Sequence, residues 1–205
     1  TMNSRAAPIL LFDVMDTLVY DPYREMASFF GMPAKQLYAM ANAEAWYRFE
    51  RGEIEEQRFL DEFLPAEHDW DQSAFLDLFR RGYRWLDGME ALLADLQRAG
   101  TQMHCMSNYP RWFEVVEDCL SVSRYLPWTF VSCKTGVRKP APEAYRYAAR
   151  QLGRDPSDFL FIDNKENNCA GARDVGMDAI HFVGEPSLRD DLSRRGLLDL
   201  PSTSD

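Results

Sequence analysis

Five short apolar segments are the feature that most limits how this chain can fold. They are rich in branched and aromatic residues, are bounded by turn formers, and cover residues 8–12, 102–106, 128–133, 159–162 and 179–183. Such segments are typical of strands buried on both faces. Helical patterns that end at a glycine or shortly before one cover residues 88–98, 141–152 and 168–175. The sequence therefore predicts a Rossmann-like α/β fold of three layers, in which helices cover both faces of a parallel five-stranded sheet.

The segment between the first two predicted strands is too long for a simple crossover. A crossover between parallel strands needs about a dozen residues, whereas this one extends from residue 13 to residue 101. Helical signals cover residues 23–30, 34–50, 55–63 and 73–85. We expect residues 21–86 to form a helical cap, and residues 1–20 and 87–205 to form the catalytic core. The polar tail from Pro201 is expected to be frayed.

The composition limits the partners of the chain. Its 205 residues carry a formal net charge of −10, and a negative surface disfavours nucleic acid, whose phosphates attract basic faces. No apolar stretch approaches the roughly 20 residues of a membrane span, and the N-terminus shows no signal-peptide core. We expect no membrane association and a small anionic substrate that binds in a locally positive pocket.

The four cysteines bear on the location of the protein. Cys105, Cys119, Cys133 and Cys169 lie far apart in the sequence and form no CxxC pair. We expect all four to be reduced, which favours a cytoplasmic protein. The sequence leaves a monomer and a homodimer open.

Polar residues follow four of the five predicted strands. Asp13 follows the first strand, Ser107 and Asn108 the second, Lys139 comes after the third, and Asp163 with Asn164 follows the fourth. Each of these alone would be an ordinary turn or capping residue. Because parallel strands end at one edge of a sheet, however, the ordered set predicts a single cleft there.

The residue types in this set indicate nucleophilic chemistry. A carboxylate on a tight turn can attack phosphorus or an activated carbon and form a covalent intermediate. A second carboxylate about 4 Å away repels it by about 1 kcal/mol in water and by about 4 kcal/mol at an effective dielectric constant of about 20. Mg²⁺ would suit such a pair, because it prefers oxygen ligands. Ser107 and Lys139 could then bind the oxygens of a transferred group.

The ordered motifs resemble those of the haloacid dehalogenase superfamily over nearly the whole chain. Residues 12–18 (Phe-Asp-Val-Met-Asp-Thr-Leu) look like its first motif, Ser107-Asn108 like the second, Lys139-Pro140 like the third and residues 161–164 (Phe-Ile-Asp-Asn) like the fourth. Residues 46–54 are similar to the cap of the subgroup that carries its helical insertion after the first motif. The resemblance implies sheet order 5-4-1-2-3 and a phosphatase that acts on a small phosphorylated metabolite through an aspartyl phosphate.

The resemblance also implies roles for individual residues. The catalytic residues would be Asp13 as the nucleophile, Thr17, Ser107 and Lys139. Ser107, Asn108 and Lys139 would bind the substrate. Mg²⁺ would be held by Asp13, the backbone carbonyl of Met15, Asp163 and Asn164.

Two positions depart from the pattern of the family. Its phosphatases usually carry an acid–base Asp two residues after the nucleophile, where this chain has Met15. Asp16 could substitute only if its side chain turned toward the cleft. Without an acid, we expect aryl phosphates to be cleaved far better than alkyl phosphates, because positioned acid–base catalysis is worth about 10²- to 10⁴-fold. Asn164 replaces a frequently acidic residue and would weaken the metal site by one charge.

Three other functions remain open from the sequence. A dehalogenase would use a cap arginine, such as Arg48 or Arg51, and a phosphonate-cleaving enzyme would need a cap lysine, for which only Lys35 is available. A catalytically silent binding protein is the third alternative, because of Met15. The aromatic cap segment with Trp46, Tyr47 and Phe49 could either line a pocket or pack inside the protein.

Overall fold

The computed structural model describes residues 7–198, which contain a five-stranded parallel sheet. Its strands are β1 Ile9–Phe12, β2 Met103–Ser107, β3 Phe130–Val131, β4 Phe159–Asp163 and β5 Asp178–His181. Their spatial order is β3-β2-β1-β4-β5, which confirms the predicted order. In the register of the central strand, Leu10 pairs with Met103 on one side and with Leu160 on the other.

Eleven α-helices lie among the described residues. They are α1 Met26–Phe29, α2 Ala34–Met40, α3 Ala43–Glu50, α4 Glu56–Phe63, α5 Gln72–Gly82, α6 Met89–Arg98, α7 Phe113–Leu120, α8 Ser132–Thr135, α9 Pro142–Leu152, α10 Glu166–Asp174 and α11 Glu185–Arg194. None of the helices between residues 7 and 198 is long and apolar enough to cross a membrane. All four cysteines are free thiols.

The alternation of side chains along β1 divides the interior into two parts. Leu10 and Phe12 pack into a cluster that contains apolar residues of α6, α7 and α11, whereas Ile9 and Leu11 pack against α9 and α10. All four side chains are buried. Burial on both faces is what a parallel sheet requires, and it explains the continuous apolar run of this strand.

Helices α1–α5 lie between β1 and β2 and share the core of one sheet face. Phe49, Phe59, Phe63 and Phe75 belong to the same buried cluster as Leu10 and Phe12. The rings of Phe49 and Phe59 stack with centroids 4.9 Å apart, and each buried aromatic ring contributes about 1.5–3 kcal/mol. The inserted helices therefore form one hydrophobic core with the sheet. The boundaries predicted for the cap, 21 and 86, stay a prediction.

Polar contacts also join the inserted helices to the core. The Ser132 hydroxyl donates to the Glu50 carbonyl oxygen at 2.5 Å, and the Trp112 indole donates to the Glu56 carboxylate at 2.5 Å. Gly52 adopts a left-handed conformation with φ of 71° and passes directly over the Cys133 carbonyl. This close approach leaves no space for a side chain.

The structure differs from the helix predicted over 34–50 and from the strand predicted over 128–133. The single helix predicted over 34–50 is two helices, because Ala41 is extended and the Asn42 side chain accepts from the Ala45 N–H at 3.2 Å, which starts α3. The strand predicted over 128–133 is limited to Phe130–Val131, because α8 begins at Ser132.

Besides α8, two helices have no counterpart in the sequence analysis. Helix α11 buries only Leu188 and Leu192, so its apolar face is too narrow to produce a clear helical pattern. Helix α7 follows β2 and packs Phe113 and Val116 into the core. The tail from Pro201 lies outside the described residues.

We expect Gly52→Ala to destabilise the protein more than Gly100→Ala. Both glycines have similar left-handed φ angles (71° and 75°), but only at Gly52 would a Cβ collide with backbone. The shared conformational strain is worth about 1–2 kcal/mol, and the collision should add at least about 1 kcal/mol. Urea unfolding of the two variants measures the difference. Equal losses would show that the inserted helices are not held tightly against the core.

Candidate active site

A buried lysine joins two carboxylates at the carboxyl edge of the sheet. The Lys139 ammonium Nζ donates to Asp13 Oδ1 at 2.7 Å, to Asp163 Oδ2 at 2.7 Å and to the Met106 carbonyl at 2.6 Å. Asp13 directly follows β1 and Asp163 ends β4. The structure thus brings together three of the predicted residues from three distant parts of the chain.

Burial and charge shift the protonation of this cluster. Burial and the neighbouring charge of Asp163 raise the pKa of Asp13 to about 6, although Lys139 and Thr17 act in the opposite direction. Burial alone would lower the pKa of Lys139, but the two carboxylates outweigh it and raise that pKa above its usual value. Lys139 therefore stays protonated at neutral pH, and Asp13 is mostly ionised there.

Thr17 holds the second oxygen of Asp13. Its hydroxyl donates to Asp13 Oδ2 at 2.8 Å and accepts from the Asn164 N–H at 3.1 Å. A tight turn makes this possible, because the Leu18 and Val19 N–H groups both bond to the Val14 carbonyl. Thr17 thereby links the turn after β1 to the end of β4.

Asp163 is held by the start of α10. The Lys165 N–H donates to its Oδ1 at 2.7 Å, and the Asn168 amide donates to its Oδ2 at 2.9 Å. Both donors stabilise the charged form of a fully buried carboxylate. Asn164 follows Asp163, and its Oδ1 is buried without a hydrogen-bond partner among residues 7–198.

Asn108 positions the backbone of Lys139. Its amide Nδ2 donates to the Lys139 carbonyl at 2.8 Å, and its Oδ1 accepts from the Lys139 N–H at 2.9 Å. The bond from Lys139 to Pro140 is cis. Its side chain therefore orients the lysine. Asn108 also lines the cavity, and its predicted role in substrate binding stays a prediction.

Ser107 lies at the end of β2 but does not line the main cavity. Its hydroxyl is buried without a hydrogen-bond partner among the described residues. It borders a small void of about 10 Å³ beside Lys139. The role in substrate binding that was predicted for Ser107 remains a prediction.

A cavity of about 260 Å³ lies above the Asp13 carboxylate. The core contributes Asp13, Met15 and Lys139 to its lining. The inserted helices and the segment that leads into them contribute five further residues, which are Asp21, Tyr23, Trp46, Tyr47 and Glu50. The remaining residues of the lining are Asn108, Tyr109, Arg138, Lys165 and Asn168.

An ion pair fixes one wall of this cavity. Arg138 Nε donates to Glu50 Oε2 at 2.6 Å, while the Trp46 indole donates to Glu50 Oε1 at 2.8 Å. The Arg138 guanidinium also lies 4.3 Å from the centroid of the Tyr47 ring. Helix α3 is therefore bound to the loop that carries Lys139. Of its aromatic residues, Trp46 and Tyr47 line the cavity, and Phe49 packs inside.

Asp16 does not replace the carboxylate that is missing at position 15. Met15 lines the cavity, but its side chain carries no transferable proton. Asp16 has a left-handed backbone (φ 60°), and its carboxylate accepts from Arg24 Nε at 3.0 Å and from the Asp21 N–H at 3.2 Å. Asp16 is absent from the cavity lining, so its side chain has turned away from Asp13.

Sequence reasoning missed several residues of this cavity. Asp21, Glu50 and Arg138 do not directly follow a strand, and Lys165, two residues after the end of β4, was given no role. Asp21 offered one local signal, because Asp before Pro22 is typical of a helix start. Nothing local placed Glu50 opposite Arg138, since 88 positions separate them.

The oxygens near Asp13 fit a divalent cation. The Asp13 and Asp163 carboxylates both lie within 2.7 Å of the Lys139 ammonium, so they are close enough to share one cation. The unpartnered Oδ1 of Asn164 is a third oxygen. Within residues 7–198, no three His, Cys, Asp or Glu side chains cluster to hold a metal. This set suits Mg²⁺, which takes few carboxylates and retains waters.

The fold and this site define an α/β protein with a carboxylate–lysine centre at the end of its central strand. A sequence model of haloacid dehalogenase-like hydrolases matches residues 8–176. Flavin mononucleotide hydrolase 1 of Arabidopsis thaliana is 43% identical over 196 residues, covering 95% of this chain and 80% of that protein. The chain therefore belongs to the haloacid dehalogenase-like hydrolases, as its motifs predicted, and is a hydrolase.

Other similar proteins agree with this assignment. A sesquiterpene phosphatase of Aspergillus oryzae is 28% identical over 153 residues, covering 73% of this chain and 78% of that protein. A HAD-family enzyme of Bacteroides thetaiotaomicron, in complex with magnesium and inorganic phosphate, has a TM-score of 0.68 at 18% identity and covers 88% of this chain and 96% of that one. At that identity, the structural likeness shows the fold alone.

We expect Lys139→Met to lower the free energy of unfolding by about 3–5 kcal/mol, because it leaves two buried carboxylates without their cation. Lys165→Met is the matched control, since Lys165 is an exposed lysine next to the same cavity. Its effect should stay within about 0.5 kcal/mol. Urea unfolding in the presence of EDTA measures both values. A loss below about 1 kcal/mol for Lys139→Met would contradict the stabilising role of this lysine.

Proposed function

We propose that the protein is a Mg²⁺-dependent phosphatase that forms an aspartyl phosphate on Asp13. The observation that carries this proposal is the position of the Asp13 carboxylate. It lines a cavity, is mostly ionised at neutral pH, and is held by Lys139 on one oxygen and Thr17 on the other. An oriented, desolvated carboxylate of this kind is suited to nucleophilic attack.

Each side chain has a distinct task in this reaction. One oxygen of Asp13 attacks phosphorus, and the ester oxygen of the substrate leaves. Lys139 keeps its proton and offsets the negative charge that develops on the transferred group. Thr17 and Asn108 orient the nucleophile and the lysine respectively.

The proposed magnesium site uses the Asp13 and Asp163 carboxylates, the Met15 carbonyl and Asn164. When bound, the ion supplies positive charge to the phosphoryl oxygens and reduces the repulsion between phosphate and carboxylate. Residues 21–86 act as the cap in this proposal, because they supply five residues to the cavity wall and shield it from water.

The substrate that we propose is a phosphate monoester with an aromatic ring. The rings of Tyr23, Trp46, Tyr47 and Tyr109 line the cavity, and Arg138 and Lys165 add positive charge. The name of the Arabidopsis relative states that it hydrolyses flavin mononucleotide, an alkyl phosphate monoester that carries an aromatic ring system. Flavin mononucleotide is therefore the first substrate to test.

The contacts of the cap residues do not favour the alternatives. Arg48 is paired with Glu62, Arg51 is paired with Glu44 and Glu53, and neither arginine lines the cavity. Neither arginine therefore supports a dehalogenase. Lys35 is exposed on α2 and is also outside the cavity lining, which does not favour phosphonate cleavage.

The cytoplasmic location stays a prediction. The name of the Arabidopsis relative places that protein in the chloroplast. Monomer and homodimer also stay open.

We expect Asp13→Asn to abolish the release of phosphate from p-nitrophenyl phosphate and flavin mononucleotide. EDTA should abolish it in the parent protein, and added Mg²⁺ should restore it. Asp61→Asn is the matched control, because Asp61 is exposed on α4 and does not line the cavity. A folded Asp13→Asn protein that retains turnover would overturn the proposed nucleophile.

We expect Tyr47→Ala to raise the KM for flavin mononucleotide by about 2- to 10-fold, because a stacking contact is worth about 0.5–1.5 kcal/mol. The KM for methyl phosphate, a phosphate monoester without an aromatic ring, should change little. Tyr38→Ala is the control, since Tyr38 is similarly exposed and is not part of the cavity wall. Equal KM changes for both esters would contradict an aromatic site at Tyr47.

A further inference from the structure

The proposed phosphatase lacks a proton donor at the usual position. Met15 stands where the resemblance to the phosphatases of this family would place an acid, and Asp16 faces Arg24. An alkyl phosphate such as flavin mononucleotide cannot be cleaved efficiently without a proton for the departing alkoxide. Some other group in the cavity would have to supply it.

We propose that Asp21 is the general acid–base of this site, an inference that rests on the proposed phosphatase function. Asp21 lines the same cavity as Asp13 and Lys139. It stands where the chain leaves the turn after β1 and enters the inserted helices. Asp21 therefore belongs to the same cavity wall as the proposed nucleophile.

Two hydrogen bonds fix Asp21 in place. Its N–H donates to Asp16 Oδ1 at 3.2 Å, and its own Oδ1 accepts from the Tyr23 N–H at 3.0 Å. No residue between 7 and 198 provides a hydrogen bond to Oδ2, which is not enclosed by protein atoms. Oδ2 is thus free to carry a proton. Asp16 accepts from the Asp21 N–H and thereby orients Asp21.

The surroundings of Asp21 bring its pKa close to neutral pH, so that the protonated and the ionised forms are both populated there. Burial raises the pKa of Asp21 to about 7; the charges of Asp16 and Glu50 act in the same direction, and the Tyr23 N–H and Lys165 act against it. A group with a pKa near the working pH is best able both to give and to take a proton.

The other carboxylates near the cavity are already engaged. Glu50 uses Oε1 for Trp46 and Oε2 for Arg138. Asp163 accepts on both oxygens from Lys139, Lys165 and Asn168. Among the carboxyl groups of the described cavity wall, only Asp21 has an oxygen without a partner.

The proposed reaction balances in two steps. In the first, an Asp13 oxygen forms a bond to phosphorus, the bond from phosphorus to the ester oxygen breaks, and this oxygen takes the proton of Asp21. In the second, a water oxygen attacks phosphorus, Asp21 takes a proton from that water, and the bond from phosphorus to Asp13 breaks. Inorganic phosphate leaves, and Asp21 is protonated again.

The test compares esters whose leaving oxygens differ in basicity. The probes are p-nitrophenyl phosphate, phenyl phosphate and benzyl phosphate, with Mg²⁺ present. For Asp21→Asn, we expect kcat/KM on benzyl phosphate to fall by about 10²- to 10⁴-fold. On p-nitrophenyl phosphate it should stay within a few-fold, because p-nitrophenolate leaves without a proton. A burst of p-nitrophenolate followed by slow turnover should appear, because the variant hydrolyses the aspartyl phosphate slowly.

The pH profile provides a second readout. In the parent protein, kcat/KM on benzyl phosphate should fall above about pH 7, where Asp21 loses its proton. In Asp21→Asn, this fall of kcat/KM with pH should be absent. Asp16→Asn should shift this fall to lower pH, because it removes a charge that raises the pKa of Asp21. Asp61→Asn is the matched control, because Asp61 is exposed and does not line the cavity, and it should leave the pH profile unchanged. The charged and titratable groups around Asp21 are Asp16, Tyr23, Glu50, Tyr83, Tyr109 and Lys165.

The outcomes separate this inference from the proposed function. If a folded Asp21→Asn protein loses the same factor on all three esters without a burst, or loses nothing, Asp21 is not the acid–base, while the phosphatase stands. If the parent protein releases phosphate from none of the esters, the proposed function fails and the role of Asp21 fails with it.

Discussion

The contact of the Lys139 ammonium with two buried carboxylates is the interaction on which the rest of the site depends. Asp13 and Asp163 come from the ends of neighbouring strands, and the sheet brings their buried side chains close together. Two carboxylates repel each other strongly in such surroundings unless a cation lies between them. Lys139 supplies that charge, and Asn108 fixes its backbone, so the ends of β1, β2 and β4 and the loop after β3 form one connected unit.

The inserted helices form part of the wall of the cavity that lies above the carboxyl edge of the sheet. They share a hydrophobic core with one face of the sheet, and the pair of Glu50 with Arg138 ties them to the lysine loop. The walls of the cavity are therefore held as firmly as its floor. In the proposed mechanism, the wall supplies the carboxyl group of Asp21 in place of an acid at position 15.

Much of the fold could be predicted because buried elements produce a recognisable local pattern of apolar residues in the sequence. A strand buried on both faces reads as an apolar run, and β1 with Ile9, Leu10, Leu11 and Phe12 is the clearest example. Helix α11 left almost no trace, because it buries only two leucines. The break between α2 and α3 depends on one capping bond from Asn42, which competes with an otherwise helical pattern. Local signals therefore predicted the sheet better than the helices that cover it.

The sequence by itself determined the family, the parallel sheet and the polar residues at its edge, because each of these rests on short motifs and on periodicity. Only the tertiary structure decided how those side chains are used. It showed that Asn108 orients Lys139, that Asp16 turns to Arg24, and that Asp21 faces the cavity. The physical reason is that the direction of a side chain and the pKa of a carboxyl group depend on neighbours that folding brings from distant parts of the chain.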